Sequence, residues 1–362
     1  MEAFEIISPE IETGRFDQPV QLTSFIGRED EVAWVRGRLE AGQRLITVTG
    51  TGGVGKTRLA YAVAASLDRS ARFADGYAVV TLAPVAEEGL VMPTVARTLG
   101  VMVDGHGPAV ERIAAALQCR RMLLVIDNLE HVIGAGIELR TLLDACPDLS
   151  MLITSRRALR VTGEQEFALS PLPVPAAGTG SSLEELAASP SISLFVDRAE
   201  AALPTFVLNA DNAASVIEIC ARLDGLPLAI ELAAARIKVL SPQALASRLS
   251  GRLRILTAGP RDAPTRQQTL RETIAWSYEL LASDEQRLFR RMSVFAGGGV
   301  LAAIQAVATL DDPDADALAL VAGLLDHSLL VREADPSGEP RFRMLETIRE
   351  FGLDLLAQSG EE

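Results

Sequence analysis

Apolar residues along this chain follow two rhythms. Arg44-Leu45-Ile46-Thr47-Val48-Thr49, Gly76 to Leu82, Arg121 to Asn128 and Met151 to Thr154 are short, nearly unbroken apolar runs, the pattern of strands buried on both faces. Between them, Glu31 to Leu39, Thr57 to Ala64, Val91 to Leu99, Val110 to Leu117 and Ile137 to Ala145 repeat their apolar positions with a helical period. Glu166 to Leu169 reads as one more short strand. Alternation of this kind predicts a mainly parallel sheet covered on both faces, with ligands at the carboxyl ends of its strands.

Pro171 to Ser182 is rich in Pro, Gly and Ser and reads as a linker. Beyond it the rhythm is helical, over Ser191 to Ala202, Asn212 to Leu223, Pro227 to Leu240 and Pro242 to Leu249. A second polar break, Gly259-Pro260-Arg261-Asp262-Ala263-Pro264, opens a third region. Helices are predicted there at Leu270 to Leu281, Asp284 to Met292, Leu301 to Ala308 and Asp316 to Asp326. Two strand-like pieces, Ser328 to Arg332 and Arg341 to Met344, flank the turn Asp335-Pro336-Ser337-Gly338, and a last helix runs from Glu346 to Leu356. Helices followed by a hairpin are the outline of a winged helix.

One loop between strand and helix carries chemistry. Gly50-Thr51-Gly52-Gly53-Val54-Gly55-Lys56-Thr57 fits the phosphate-binding P-loop, and it lies between the run ending at Thr49 and the helix from Thr57 that includes Arg58. Its glycines let backbone N–H groups turn inward around phosphate oxygens, and the helix N-terminus adds a positive dipole end. The Thr57 hydroxyl is placed to ligate Mg²⁺. The chain has 34 basic residues, of which only Lys56 and Lys238 are lysines. Lys56 is thus a lysine in a chain that otherwise writes positive charge as Arg, as suits a compact ammonium reaching β and γ phosphates.

The expected division is a tail or linker over 1–21, a P-loop nucleotide-binding domain over 22–171, a linker over 172–188, a helical domain over 189–258, a winged-helix domain over 264–357 and a tail over 358–362. The fold class is an α/β P-loop NTPase domain, a parallel sheet with helices on both faces, followed by an all-α helical domain and a winged-helix domain. With 48% hydrophobic and 23% charged residues the chain is globular. No apolar run is long enough to span a bilayer, and the N-terminus lacks a basic segment followed by an apolar one, so the expected location is the cytoplasm. A formal charge of −14 argues against a protein devoted to gripping nucleic acid. Cys119, Cys146 and Cys220 are scattered and read as buried thiols, and His106, His131 and His327 are equally dispersed, which gives no basis for a metal site.

Asp127 ends the apolar run Leu123 to Ile126, which puts a carboxylate beside an Mg²⁺ held by Thr57. Asn128 and Glu130 follow it, either to position an attacking water or to cap the next helix. Thr154-Ser155-Arg156-Arg157 ends the next run, so arginines stand at the same sheet edge, either to sense a γ-phosphate or to face solvent.

Taken in order, Phe25-Ile26-Gly27-Arg28-Glu29, the P-loop, Leu124-Val125-Ile126-Asp127-Asn128, Thr154-Ser155-Arg156 and Gly225-Leu226-Pro227-Leu228-Ala229 resemble the motif set of STAND ATPases, the NB-ARC type signal-transduction NTPases that include bacterial regulators. The resemblance covers about residues 22 to 357. It implies three domains closing over bound ADP, with Phe25 to Arg28 by the adenine, Leu226 to Leu228 clamping the base through Pro227, and Arg156 as the phosphate sensor. Two departures stand out. Asn128 occupies the position where many relatives have a second acidic residue, which implies slow turnover. Met344-Leu345-Glu346 stands where relatives have Met-His-Asp, and Leu345 has no group to bond a β-phosphate.

The reading reached is a nucleotide-dependent switch, a slow ATPase that binds ADP or ATP with Mg²⁺, closed with ADP and open or self-associating with ATP. Its output is expected to be regulatory, through a protein partner or C-terminal repeat domain. Two readings stand beside it: a DNA-binding regulator acting through the winged helix, and a non-catalytic nucleotide-binding scaffold. Pro313 to Asp326, the candidate recognition helix, has no Lys or Arg, which argues against direct nucleic-acid contact.

Overall fold

Three of the apolar runs become the inner strands of one sheet, and the run from Gly76 becomes an edge strand. The computed structural model describes residues 23–68, 70–102, 107–176, 182–249, 269–308, 310, 315–334 and 339–360. Strands β1 (Leu45–Thr49), β2 (Tyr77–Thr81), β3 (Leu123–Asp127), β4 (Ser150–Thr154) and β5 (Glu164–Ala168) lie in the order β2-β3-β4-β1-β5. Every neighbouring pair is parallel. β1, β3 and β4 are buried at all positions, as central strands with helices on both faces must be. β5 is the more polar edge, and its residues are half-buried or exposed.

Helices α1 (Glu29–Glu40), α2 (Lys56–Leu67), α3 (Val91–Thr98), α4 (Ala109–Leu117) and α5 (Gly136–Ala145) complete this unit. Val80, Ile126 and Ile153 pack with Val95, Ile113, Leu117 and Leu142 of α3, α4 and α5, and with Leu99 just past α3. Each such side chain contributes about 1.5–3 kcal/mol relative to exposure. Leu59 and Val63 of α2 are fully buried, and α2 packs on β3 and β4. The unit comprises the described residues up to Thr49 and Lys56–Ala168.

The second unit takes in the loop glycines Gly50–Gly55 and the chain from Leu169 onward. It holds α6 (Leu183–Ala188), α7 (Pro190–Ala202), α8 (Ala210–Arg222), α9 (Pro227–Ala234) and α10 (Pro242–Arg248). After them come α11 (Leu270–Glu279), α12 (Ser283–Met292), β6 (Gly299–Val300), α13 (Leu301–Ala308), α14 (Ala317–Asp326), β7 (Val331–Ala334), β8 (Pro340–Arg343) and α15 (Glu346–Ser359). The three strands pair antiparallel in the order β6-β8-β7 and form the wing. Tyr278, Phe289 and Phe351, with ring centroids 5.3 to 6.4 Å apart, join α11, α12 and α15.

Local geometry alters several sequence expectations. The linker read over 172–188 contains α6, which Ser182 and Glu185 open with a reciprocal capping box. The helix read as running from Pro227 to Leu240 stops at Ala234 and tightens into a 3-10 turn, Ala235–Lys238. The strand expected from Ser328 starts at Val331, because Ser328 takes a left-handed φ of 55° just past α14 and Leu329 bonds back to Leu324. α15 continues to Ser359, into the segment read as a tail. The tail 1–21, the break Gly259 to Pro264, the turn Asp335 to Gly338 and His106 lie outside the described residues.

Candidate functional site

β1 ends at Thr49 and the chain turns through three left-handed glycines before α2: Gly50 at φ 142°, Gly53 at 80° and Gly55 at 101°. Only glycine adopts such angles freely. Space adds a second demand at two of them. A Cβ on Gly50 would lie 2.7 Å from the Leu169 carbonyl oxygen, and one on Gly53 would lie 2.8 Å from Leu228 Cβ. Around Gly55 the space is open. Val54 is fully buried and anchors the loop, while Thr51 and Gly52 are partly exposed.

Leu226 stands just before α9, Pro227 is its first residue, and the Leu228 amide donates to the Gly53 carbonyl at 3.1 Å. Proline suits this place because the N–H it lacks has no helical partner there. Gly225, at φ 66°, is forced by crowding: a Cβ would meet the Leu172 carbonyl oxygen at 2.0 Å. A cavity of about 480 Å³ lies beside this turn, bounded in part by Leu172, Asp224, Arg343 and Leu345.

In the first unit, the Thr57 hydroxyl donates to Asp127 Oδ1 at 2.7 Å and the Thr154 hydroxyl to the same oxygen at 2.6 Å. The register that pairs Ile126 with Ile153 brings the ends of β3 and β4 level, which is why Thr154 reaches Asp127. Asp127 is buried, and burial raises its carboxyl above the usual range while the two hydroxyls oppose that shift. Two hard oxygen groups facing each other at the P-loop threonine could hold a hard cation such as Mg²⁺.

Lys56 is partly exposed as a residue, yet its ammonium sits deep enough that desolvation lowers its pKa to about 8. Glu130 and Asp127 oppose that shift and Arg156 reinforces it, so Glu130, Asp127 and Arg156 all surround the ammonium. Glu130 and Arg156 form a buried ion pair, Oε1 to Nε at 3.2 Å, each side chain 5% exposed. The other oxygen of Glu130 has no hydrogen-bond partner among the described residues. Asn128 takes a left-handed φ of 73°, and its amide donates to Thr154 Oγ1 at 2.9 Å. Its backbone thus braces the hydroxyl that holds Asp127.

The segment before α1 is arranged around Arg58. Its guanidinium donates to the carbonyls of Thr23 and Ser24 at 2.8 and 2.6 Å and lies 5.7 Å from the centre of the Phe25 ring. Ile26 is partly buried, Gly27 turns at φ 66°, and Arg28 is buried and bonded to Glu31 at 2.6 Å. The structure therefore gathers the sequence candidates into clusters: Lys56, Thr57, Asp127, Glu130 and Arg156 in one; Gly53 with the turn Leu226 to Leu228 in another; Phe25 with Arg58 in a third. Sequence reasoning missed the bond from Thr154 to Asp127 and the bonds that the Glu346 and Thr347 amides donate to Asp224. Equal strand endings were the available signal for the first; no local signal marked the second. Among the cysteines, Cys119 is exposed rather than buried.

Comparison with known proteins places these features. Residues 28–165 match the model of the NB-ARC domain, and residues 281–357 that of a winged helix-turn-helix domain. The Mycobacterium tuberculosis protein Rv0890c, named as an HTH-type transcriptional regulator, is 42% identical over 328 residues, covering 89% of this chain and 35% of the relative. The chain thus spans about a third of that relative's length. Rv0894 of the same species is 36% identical over 359 residues, covering 98% of this chain and 87% of the relative. Among solved structures, the Walker-type ATPase PABY2304 of Pyrococcus abyssi shares the fold at a TM-score of 0.56 and 12% identity, over 91% of this chain and 96% of that one. Among the described residues no helix is long and apolar enough to cross a membrane.

Proposed function

This chain belongs to the NB-ARC, STAND-type P-loop NTPases with a C-terminal winged helix, and on that premise we propose that it is a nucleotide-controlled switch. The observation that carries the reading is the Thr57 hydroxyl on the buried Asp127 carboxylate at the end of β3, with the Lys56 ammonium in the field of Glu130 and Asp127. Thr57 and Asp127 would hold Mg²⁺, which neutralises charge on β and γ phosphates when bound. Lys56 holds the phosphates and Arg156 reads the third one. The loop glycines, Gly50 to Gly55, present backbone N–H groups to the phosphates. Phe25 to Arg28 border the base, Arg58 fixes that segment, and Leu226 to Leu228 clamp the base through Pro227.

Hydrolysis on this reading is slow and acts as a timer. Asn128 brings no carboxylate, so the nearby group able to accept a proton from water is Glu130, with one oxygen unengaged. ADP holds the chain closed; ATP favours an open form that self-associates. The relatives' name points the output toward control of transcription. α14 carries no Lys or Arg, so the reading assigns DNA contact to other parts of the assembled protein.

The test is to purify the chain without added nucleotide, denature it and identify what is released, beside Lys56→Ala. Stoichiometric ADP from the parent alone supports the switch. An empty parent that also ignores added ATP or ADP with Mg²⁺ leaves an interaction scaffold instead.

A further inference from the structure

α8 ends in a Schellman turn: the Asp224 amide donates to Ala221 O and the Gly225 amide to Cys220 O, each at 3.0 Å. The residue at the left-handed position of such a turn is usually glycine, because a Cβ strains it. Here it is Asp224, at φ 52°. The strain has a counterpart 122 residues further along the chain. Asp224 Oδ2 accepts the Glu346 amide at 2.6 Å and the Thr347 amide at 3.4 Å. These are the first amides of α15, whose own cap position is filled by Leu345, with no side-chain hydrogen bond. Asp224 therefore caps α15 from another element, supplying both the acceptor and the negative charge that a helix N-terminus favours. Arg343 Nη1, 3.4 Å from Asp224 Oδ1 and held at Nε by Glu333 at 2.8 Å, faces the same carboxylate.

The turn that carries Asp224 continues into Leu226-Pro227-Leu228, whose Leu228 amide grips the Gly53 carbonyl. One short segment is thus fastened to the phosphate loop by its backbone and to the winged helix by a carboxylate. We infer that Asp224 is a positioning residue, a latch that ties the Leu226 to Leu228 turn to α15 and thereby sets how slowly the chain releases a bound nucleoside diphosphate. The inference rests on the proposed switch. It supplies a protein-to-protein contact in a chain whose Leu345 has no side-chain group to bond a phosphate.

Asp224→Gly separates the latch from the turn, because glycine fits the left-handed position better than aspartate but has no carboxylate. Asp224→Asn keeps an acceptor of nearly equal capping strength. In the full chain, release of a fluorescent ADP analogue is chased with excess ADP, and exchange of the Glu346 and Thr347 amides is followed in parallel. Asp224→Gly is expected to release the analogue about tenfold faster, the loss of one charge-assisted bond, and to lose protection at both amides. Asp224→Asn is expected to stay within about threefold of the parent. Unchanged release from Asp224→Gly overturns the inference, even if the two amides lose protection, since the cap would then be structural only. A parent that binds no ADP sinks the proposed switch instead, and amide exchange alone then decides whether Asp224 caps α15.

Discussion

The Thr57 hydroxyl and the Asp127 carboxylate meet across 2.7 Å at the end of β3, and Thr154 approaches the same carboxylate oxygen from β4. An aspartate engaged twice through one oxygen is fixed in orientation, so its second oxygen has a defined direction without any metal. Orientation set by the protein would make the proposed response to Mg²⁺ a matter of charge.

Asp127→Asn keeps an acceptor for both hydroxyls and removes the charge. Affinity for ATP with Mg²⁺ is expected to fall about tenfold or more, while affinity for ADP in a chelator stays within about threefold. Calorimetry with and without chelator checks both. Equal loss in the two conditions would mean that the side chain serves packing alone.

Gly53→Ala and Gly55→Ala should part company. Both place alanine at a positive φ, for roughly 1–3 kcal/mol of strain. Only at Gly53 does the added methyl also meet Leu228. Thermal melting should drop further for Gly53→Ala, whereas Gly55→Ala should keep more stability and lose nucleotide binding, because its methyl points into the open space of the loop.

Arg156→Ala takes away the ion-pair partner of the buried Glu130 and leaves it only the nearby Lys56 ammonium. Removing one member of a buried ion pair is destabilising by about 3–5 kcal/mol, whereas replacing both members by neutral residues of similar volume is close to neutral. Urea midpoints should therefore fall for Arg156→Ala and recover in Glu130→Gln/Arg156→Met. The double variant should still fail to prefer ATP over ADP.

The three thiols should react in a fixed order. Cys119 is exposed and should alkylate in the folded chain; Cys146 and Cys220 are buried. Burial pushes the Cys220 thiol up to about 12, so its reactive thiolate is scarce at neutral pH and still scarce at pH 9. At pH 9 Cys220 should stay silent until denaturant is added. Peptide mass spectrometry of the alkylated chain reads the order directly.

What the sequence made legible was local. Asp127 closes an apolar run, and the P-loop sits between a strand and a helix, so neighbouring residues sufficed to find both. Thr154 and Asp224 are different, because strand register and a contact spanning 122 residues give them their roles. The α6 capping box was readable from Ser182 and Glu185, but the Pro- and Gly-rich stretch before it masked the signal. β6 is only two residues long and exists through its pairing with β8, which no periodicity announces. Asn128 was weighed for its side chain, whereas the geometry uses its tolerance of a left-handed backbone.

Lys56 and Lys238 are the only lysines of the sequence, and Lys56 follows the phosphate loop directly. Reagents that acylate amines thus find few targets in a protein rich in guanidinium. An acyl-phosphate analogue of ATP would hand its label to the amine nearest its phosphates, and the mass shift of one peptide would then count occupied sites in a crude mixture. A preference for arginine gives the chain a built-in occupancy meter.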